Sequence, residues 1–236
     1  TTTSGRCGSF DFFPSHAIIR TMERDPLLME KIVSLAKRRG FLFPGSEIYG
    51  GLAGTWDYGP LGVELKNNLK KEFWSTMVYG REDVVGLDAA IMMNPKAWEA
   101  SGHTQAFTDP LVECKTCHER FRADHPEEIE EHAEMHTRKK EVAAWTEPKQ
   151  FNLLVEAQLG AVEGEKTTVY LRGEITQGVH VNFKNVLDST HRKLPFGVVQ
   201  IGKAFRNEIT PGNFIFRLRE VEQMELQYYV RPDEEE

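Results

Sequence analysis

Two strand-forming runs near the C-terminus, "VVQIGKAF" and "REVEQMELQYYV", lie on either side of a "TPGN" turn signal, and they constrain the fold more than any other feature. Such runs pair as an antiparallel hairpin, which is stable only when further strands or helices cover it. Side chains along a strand alternate between two faces. Counting by twos from Arg217 gives Arg217, Arg219, Val221, Gln223 and Glu225; the opposite face reads Leu218, Glu220, Glu222, Met224, Leu226 and Tyr228. The first face, with cations at one end and a carboxylate at the other, suits a ligand that is anionic at one point and cationic at another. Four strand residues span about 13 Å at roughly 3.3 Å each, so Val221 and Glu225 can meet opposite ends of one such ligand. Glu220 and Glu222, on the other face, are read as structural.

Upstream of the hairpin, helices precede strands without regular βα alternation. "DPLLMEKIVSLAKRRG" has an Asp cap, an early proline, helical apolar spacing and a basic end before Gly40, and predicts a helix. "FLFPGSEIYGGLAGTWDYGPLG" interleaves glycines with aromatics and is too apolar for a solvated loop, so it is expected to pack over a core or pocket. "VELKNNLKKEFWSTMVYG" predicts a second amphipathic helix, "VVGLDAAIMMNP" a strand ending at Pro95, and the stretch from Lys166 to Glu208 a strand, a helix and a strand. The order favours an α+β fold on a mostly antiparallel sheet flanked by helices.

The chain of 236 residues, 40% apolar and 28% charged, has the balance of a globular protein, large enough for one domain with an insertion. Its net charge of −7 argues against a surface wrapped in nucleic acid but leaves room for a local basic groove. No run of about 18 apolar residues suggests a membrane span. The first 21 residues lack the basic start and apolar stretch of a signal peptide and differ in character from the rest of the chain. They are read as a non-native or disordered leader ahead of Met22, and the protein as cytoplasmic.

Residues 107–145 form a polar insertion between core segments 22–106 and 146–236. It holds Cys114-x2-Cys117 followed by His132-x3-His136, with Phe121 and Ile129 at apolar positions between them. Two thiolates from a turn and two imidazoles one helical turn apart are the donor set of a tetrahedral Zn2+ site. The gap from Cys117 to His132 is 14 residues, against about 12 in the common finger pattern, so His118 and His125 remain alternative ligands. The segment "PEEIEEHAEMH" has five glutamates and no lysine or arginine, which disfavours reading DNA phosphates. A structural zinc is expected, with the basic "TRKK" offering a contact to a neighbouring domain or to RNA.

From about Leu35 to its last residue the chain resembles the catalytic domain of homodimeric class II glycyl-tRNA synthetases. The resemblance rests on "EIYGGLAGTWDYGPLGVELKNNL", "SGHTQAFTDPLVEC", "VNFKNVLD" and "QIGKAFRNEITPGNFIFRLREVEQME". It implies a class II antiparallel sheet, ATP-dependent activation of glycine to glycyl-adenylate, and transfer to tRNA(Gly), with Mg2+ accompanying ATP. It implies that Arg206 contacts the α-phosphate and stabilises charge growing there. Glu208 is matched to the adenine edge, Arg217 to the outer phosphates, and Glu174 and Glu225 to the glycine ammonium, which needs paired anions when desolvated. A homodimer through the helix and strand of residues 61–95 is a further implication of the resemblance.

Several positions depart from the family pattern. Val221 stands where a phenylalanine usually stacks on adenine, a change expected to cost roughly 1 kcal/mol or more of ATP affinity. Gly173, Ile175 and Gly212 are changes beside functional positions, and "FNLLVEAQLG" lacks a lysine common there. No third class II motif and no anticodon-binding domain come after the hairpin, so the chain is expected to be an N-terminal fragment, inactive or weakly active alone. The competing readings are a synthetase-like ATP- or RNA-binding protein without aminoacylation activity and, behind it, a zinc-stabilised interaction module.

Overall fold

The computed structural model describes residues 27–162, 164–212 and 214–234. The leader and the Asp25 cap lie outside them. The first element is α1 (Leu28–Arg38), followed by the short ladder of β1 (Leu42–Pro44) with β2 (Trp56–Tyr58). Helix α2 (Pro60–Trp74) begins with proline at its first turn, where the missing N–H costs nothing, and runs on into a π-helical turn, Ser75–Tyr79.

The segment expected to be one strand divides in two: β3 (Val84–Leu87) and β4 (Met92–Met93) belong to different sheets. The cause lies at Ala89. Its carbonyl accepts from the Arg172 guanidinium at 2.8 Å rather than from a neighbouring strand. Its methyl also lies where a side chain on Gly178 would collide, at 2.6 Å from the Cβ position. Helices α3 (Pro95–Ala100) and α4 (His103–Ala106) come after it.

Next come β5 (Thr108–Glu113), β6 (Arg120–Arg122), α5 (Pro126–Arg138) and β7 (Lys149–Asn152), the strands pairing in the order β6-β5-β7. This sheet runs seven residues past the expected boundary at 145, to Asn152. Strands β8 (Val155–Leu159) and β9 (Thr167–Leu171) pair with each other, and β9 also pairs with β4. The single helix expected next is two, α6 (Thr176–Val181) and α7 (Phe183–Thr190), which meet at Asn182.

Strands β10 (Phe196–Phe205) and β11 (Glu220–Tyr229) form the expected antiparallel hairpin, with Gln200 opposite Glu225 and Ala204 opposite Val221. The hairpin connection is longer than a tight turn. It spans residues 206–219, and the Gly212–Arg217 bridge moves the tip beyond "TPGN". On its other edge β10 pairs with β3 in parallel, so the architecture is α+β with antiparallel ladders apart from this one.

Both faces of the β3-β10-β11 sheet are covered. Val179 of α6 and Val186 of α7 pack against Phe196 and Val198, with Tyr229 and Phe183 at the margin. On the other face, Lys66 and Lys70 of α2 both bind Glu222, at 3.0 and 2.6 Å, while Lys203 pairs with Glu220. Gly86 leaves room there for the Trp74 indole, 2.3 Å from where a Cβ would stand. The glycine-aromatic loop packs on the hairpin connection: Arg219 donates from its backbone to Gly54 O at 2.8 Å and from its side chain to Ala53 O at 2.9 Å. Trp56 meets Phe214 edge-on at 4.9 Å. Among the described residues, no helix is long and apolar enough to cross a membrane.

Candidate functional site

The α6/α7 cover stops midway along β10. Beyond it, on the same face, the sheet presents Gly202, Ala204, Gln223, Val221 and Glu225 in the alternation the sequence predicts. The lack of a side chain at Gly202 admits the Arg172 guanidinium, whose Nη2 lies 2.2 Å from where a Cβ would be. Arg172 is 2% exposed, and it donates to Lys203 O at 2.6 Å and Ala89 O at 2.8 Å. Burial pushes the Arg172 guanidinium below its ordinary pKa, against the nearby charge of Asp88.

The segment after Arg172 brings the site residues together. Arg206, just past β10, donates from Nε to Gly173 O at 3.0 Å and lies over the Phe107 ring at 5.4 Å. Glu174 is next in the chain and approaches His103 Nε2 at 3.3 Å. Thr176, at the start of α6, donates to Glu225 Oε2 at 2.5 Å, and Gln227 adds a bond to the same oxygen at 3.2 Å. Both expected glycine carboxylates therefore border the stretch 172–176, with Arg206 fastened beside them.

Glu208 and Arg217 meet each other. Glu208 is 8% exposed and accepts from Arg217 Nε at 3.0 Å, while Arg217 Nη1 reaches Thr210 at 3.2 Å. Arg219 does not duplicate Arg217, because its guanidinium is spent on Ala53 O and, at 3.2 Å, on Glu208 O. Val221, opposite Ala204, lies on the face that ends at Glu225.

Sequence reasoning missed His103, Thr176, Arg172 and Gln200. His103 lay inside a motif block, but nothing in the block shows that Ser101 holds its Nδ1 at 2.9 Å while Nε2 turns to Glu174. Gln200, wholly buried, stands opposite Glu225 with neither amide atom bonded to another protein group.

The second cluster is the one the cysteine and histidine spacing predicts. Donor atoms of Cys114, Cys117, His132 and His136 all lie within 4.8 Å of one another. Cys114 Sγ is 3.6 Å from His136 Nε2, Cys117 Sγ is 3.3 Å from His132 Nε2, and the two Nε2 atoms are 3.1 Å apart. Zinc-length bonds of about 2.0–2.3 Å in a tetrahedron require sulfur–nitrogen separations of about 3.5 Å, so the donor set fits a metal ion. Both imidazoles present Nε2 to the thiols; His136 Nδ1 is hydrogen-bonded to Glu141 at 2.8 Å, the outer contact that orients a ligating histidine, while His132 Nδ1 only approaches Glu119, at 3.3 Å without hydrogen-bond geometry. Burial opposes ionisation of Cys114, but the backbone N–H groups of Cys117 and Thr116 and the His132 ring outweigh it and bring the thiol down to about 6. His118 and His125 lie outside the cluster, paired with Glu113 and Glu128. Phe121 tilts against His132 at 4.6 Å, and Trp145, which the spacing did not reveal, closes on both from 5.6 Å.

No family model matches the chain. It is similar to curated glycine–tRNA ligases: 53% identical over 219 residues to that of Thermobifida fusca, covering 88% of this chain and 47% of the relative. It is 54% identical over 233 residues to that of Alkaliphilus oremlandii, covering 88% and 50%, and 55% over 204 residues to that of Borreliella burgdorferi, covering 86% and 45%. The chain thus spans about half the length of these relatives. Among solved structures, the RNA binding domain of threonyl-tRNA synthetase from Cryptosporidium parvum shares the fold, with a TM-score of 0.54 at 17% identity over 85% of this chain and 37% of that one.

Proposed function

This chain belongs to the glycine–tRNA ligase family, and from that premise we propose that it carries the glycine- and ATP-binding part of a class II synthetase catalytic core. The observation that supports this most is that Gly173 O holds the Arg206 guanidinium one residue from Glu174, while Thr176 in the same stretch bonds Glu225. In this reading a glycine carboxylate oxygen attacks the α-phosphorus of ATP, the bond to the β-phosphate oxygen breaks, and pyrophosphate leaves. Arg206 stabilises the charge growing on the α-phosphate. Glu174 and Glu225 hold the ammonium, Glu208 meets the adenine edge over Val221, and Arg217 turns from Glu208 to the outer phosphates. Mg2+ accompanies ATP and neutralises its phosphate oxygens. The glycyl group then passes to the 3′ end of tRNA(Gly) in the whole enzyme, a cytoplasmic protein. No protein nucleophile is needed, because positioning and charge stabilisation carry the chemistry.

The same reading assigns Zn2+ to Cys114, Cys117, His132 and His136 as a structural ion, within an insertion of 107–145 between core segments 22–106 and 146–236. It also assigns a homodimer to residues 61–95, supported by Leu61, Leu65 and Leu69, which stand exposed at four-residue intervals along α2.

Calorimetric binding of non-hydrolysable glycyl-, alanyl- and seryl-adenylate analogues tests the proposal. The glycyl analogue is expected to bind at least about ten-fold tighter than the others, a difference of about 1.4 kcal/mol, and to lose that preference in Glu225→Gln. Equal binding of all three would leave only the nucleotide-binding reading, and no binding by the folded chain would remove both.

A further inference from the structure

The metal cluster and the hairpin site touch through charged side chains that the proposed chemistry does not use. The C-terminal half of α5 carries His132 and His136. Its N-terminal half faces the hairpin connection, where Glu128 Oε1 lies 3.9 Å from Arg217 Nη1. Around Glu208, strands β5 and β6 contribute Asp109 and Arg122, joined at 2.5 Å, and Arg122 also holds Asp124 at 2.6 Å. Burial raises the Asp109 carboxyl, Arg122 opposes the rise, and the negative Glu208 adds to it. A third link is backbone: Asn207 N donates to Leu153 O at 2.8 Å, and Leu153 N donates to Phe107 O at 2.9 Å, the residue whose ring lies under Arg206. Arg206, Glu208 and Arg217 all have neighbours in or next to the metal-bearing segment.

We propose that the metal-bearing segment is the positioning device of the hairpin loop 206–219, with Glu128 as the positioning residue that sets Arg217 for a nucleoside triphosphate. The inference rests on the reading of this hairpin as an ATP site. Helix α5 has 13 residues, a length that is marginal for an isolated helix in water, so its hold on the loop depends on the metal pinning His132 and His136 to the β5–β6 turn. The loop is long and is tied across its base by Arg206 N to Arg219 O and by the Gly212–Arg217 bridge, and ordering it before the ligand arrives removes an entropic penalty from binding. The Glu128–Arg217 contact is long and partly exposed, so it contributes little alone. Acting with the Leu153 link, it biases one loop arrangement.

The test uses the whole chain with Zn2+ as the metal, following amide hydrogen exchange of residues 206–219 and calorimetric ATP affinity. Chelation is expected to speed exchange in the loop about ten-fold while residues 196–200 keep their protection. Glu128→Gln is expected to keep one zinc per chain and still weaken ATP binding about three-fold with faster loop exchange. Glu134→Gln, on the same helix but paired only with Arg138, is expected to change neither. Loop exchange unaffected by chelation, or Glu128→Gln behaving as Glu134→Gln does, overturns the proposal. If the unsubstituted chain binds no ATP, the nucleotide reading fails, and the exchange data alone still decide whether metal and loop are coupled.

Discussion

The cysteine–histidine cluster and the arginine–glutamate site of the hairpin are assembled on different scales of sequence. Cys114, Cys117, His132 and His136 fall within one short stretch, and two local rules bring them together: a turn aims two thiols, and a helix stacks residues four apart. The hairpin site joins Gly173 to Arg206 and Thr176 to Glu225, pairs separated by 33 and 49 positions. Its geometry depends on where α6 crosses the sheet and on a glycine that admits Arg172. A locally encoded site should therefore fail locally when one donor is lost, and a site assembled across the sheet should fail together with the sheet.

The strongest way to break this contrast is Cys114→Ser. Structural zinc contributes about 10–16 kcal/mol in finger-sized peptides. The variant is expected to lose bound zinc and protection throughout residues 107–152 while β10 and β11 stay protected, as measured by metal content and amide exchange. Collapse of the central sheet as well would show that the segment is not a separate unit of stability.

Arg172→Met probes the other side. Two part-buried carbonyls, Lys203 O and Ala89 O, would lose their donor, so a loss of about 2 kcal/mol in urea unfolding is expected, from the lower part of the range of about 1–3 kcal/mol per unsatisfied group. A near-neutral result would mean that β4 and β10 hold their course without this guanidinium.

Thr176→Val removes one charge-assisted bond to Glu225 and leaves that of Gln227. Binding of the glycyl-adenylate analogue is expected to weaken by about 1.4 kcal/mol, or about ten-fold, with little change in unfolding midpoint. A large fall in stability instead would make Thr176 a packing residue.

The smallest effect is expected from Asp124→Asn. The hydrogen bond from Arg122 holds the Asp124 carboxyl down at about 2, below its ordinary value of 3.8. A depressed carboxylate stabilises the fold above its unfolded pKa and loses that contribution as pH falls toward the folded one. Asp124 is exposed, so the variant is expected to cost about 0.5 kcal/mol near pH 6, and less at pH 3, in urea titrations at the two pH values. An equal cost at both would assign the effect to something other than ionisation.

Much of the architecture was legible in the residues. The amphipathic run from Val63, the alternation through β11 and the cysteine–histidine spacing each carry a local physical cause, and most of α2, β11 and the cluster result from them, although α2 begins three residues earlier, at Pro60, inside the stretch expected to be a loop. The break between β3 and β4 was not legible. "VVGLDAAIMMNP" has uniform strand character, and only the crossing of α6 at Gly178 and the reach of Arg172 interrupt it. The tip of the hairpin was misread for a similar reason: "TPGN" is a good tight turn, but the connection is held open by Arg219 on Gly54 and by Phe214 against Trp56. Trp145 gave no signal at all, because it joins the cluster through a bridge to Cys114 from 31 positions away.

By itself, the sequence determined the amphipathic runs that become α1 and α2, the two faces of the hairpin and which cysteines and histidines gather in one cluster. Each depends on interactions within a few residues, where side-chain type and period decide the geometry. Only the tertiary structure decided that Arg206 bonds the carbonyl of Gly173, that Arg217 turns to Glu208, and that Glu128 of the α5 helix approaches Arg217. Those contacts join residues whose positions are set by packing of whole elements against one another, a quantity that no local pattern contains.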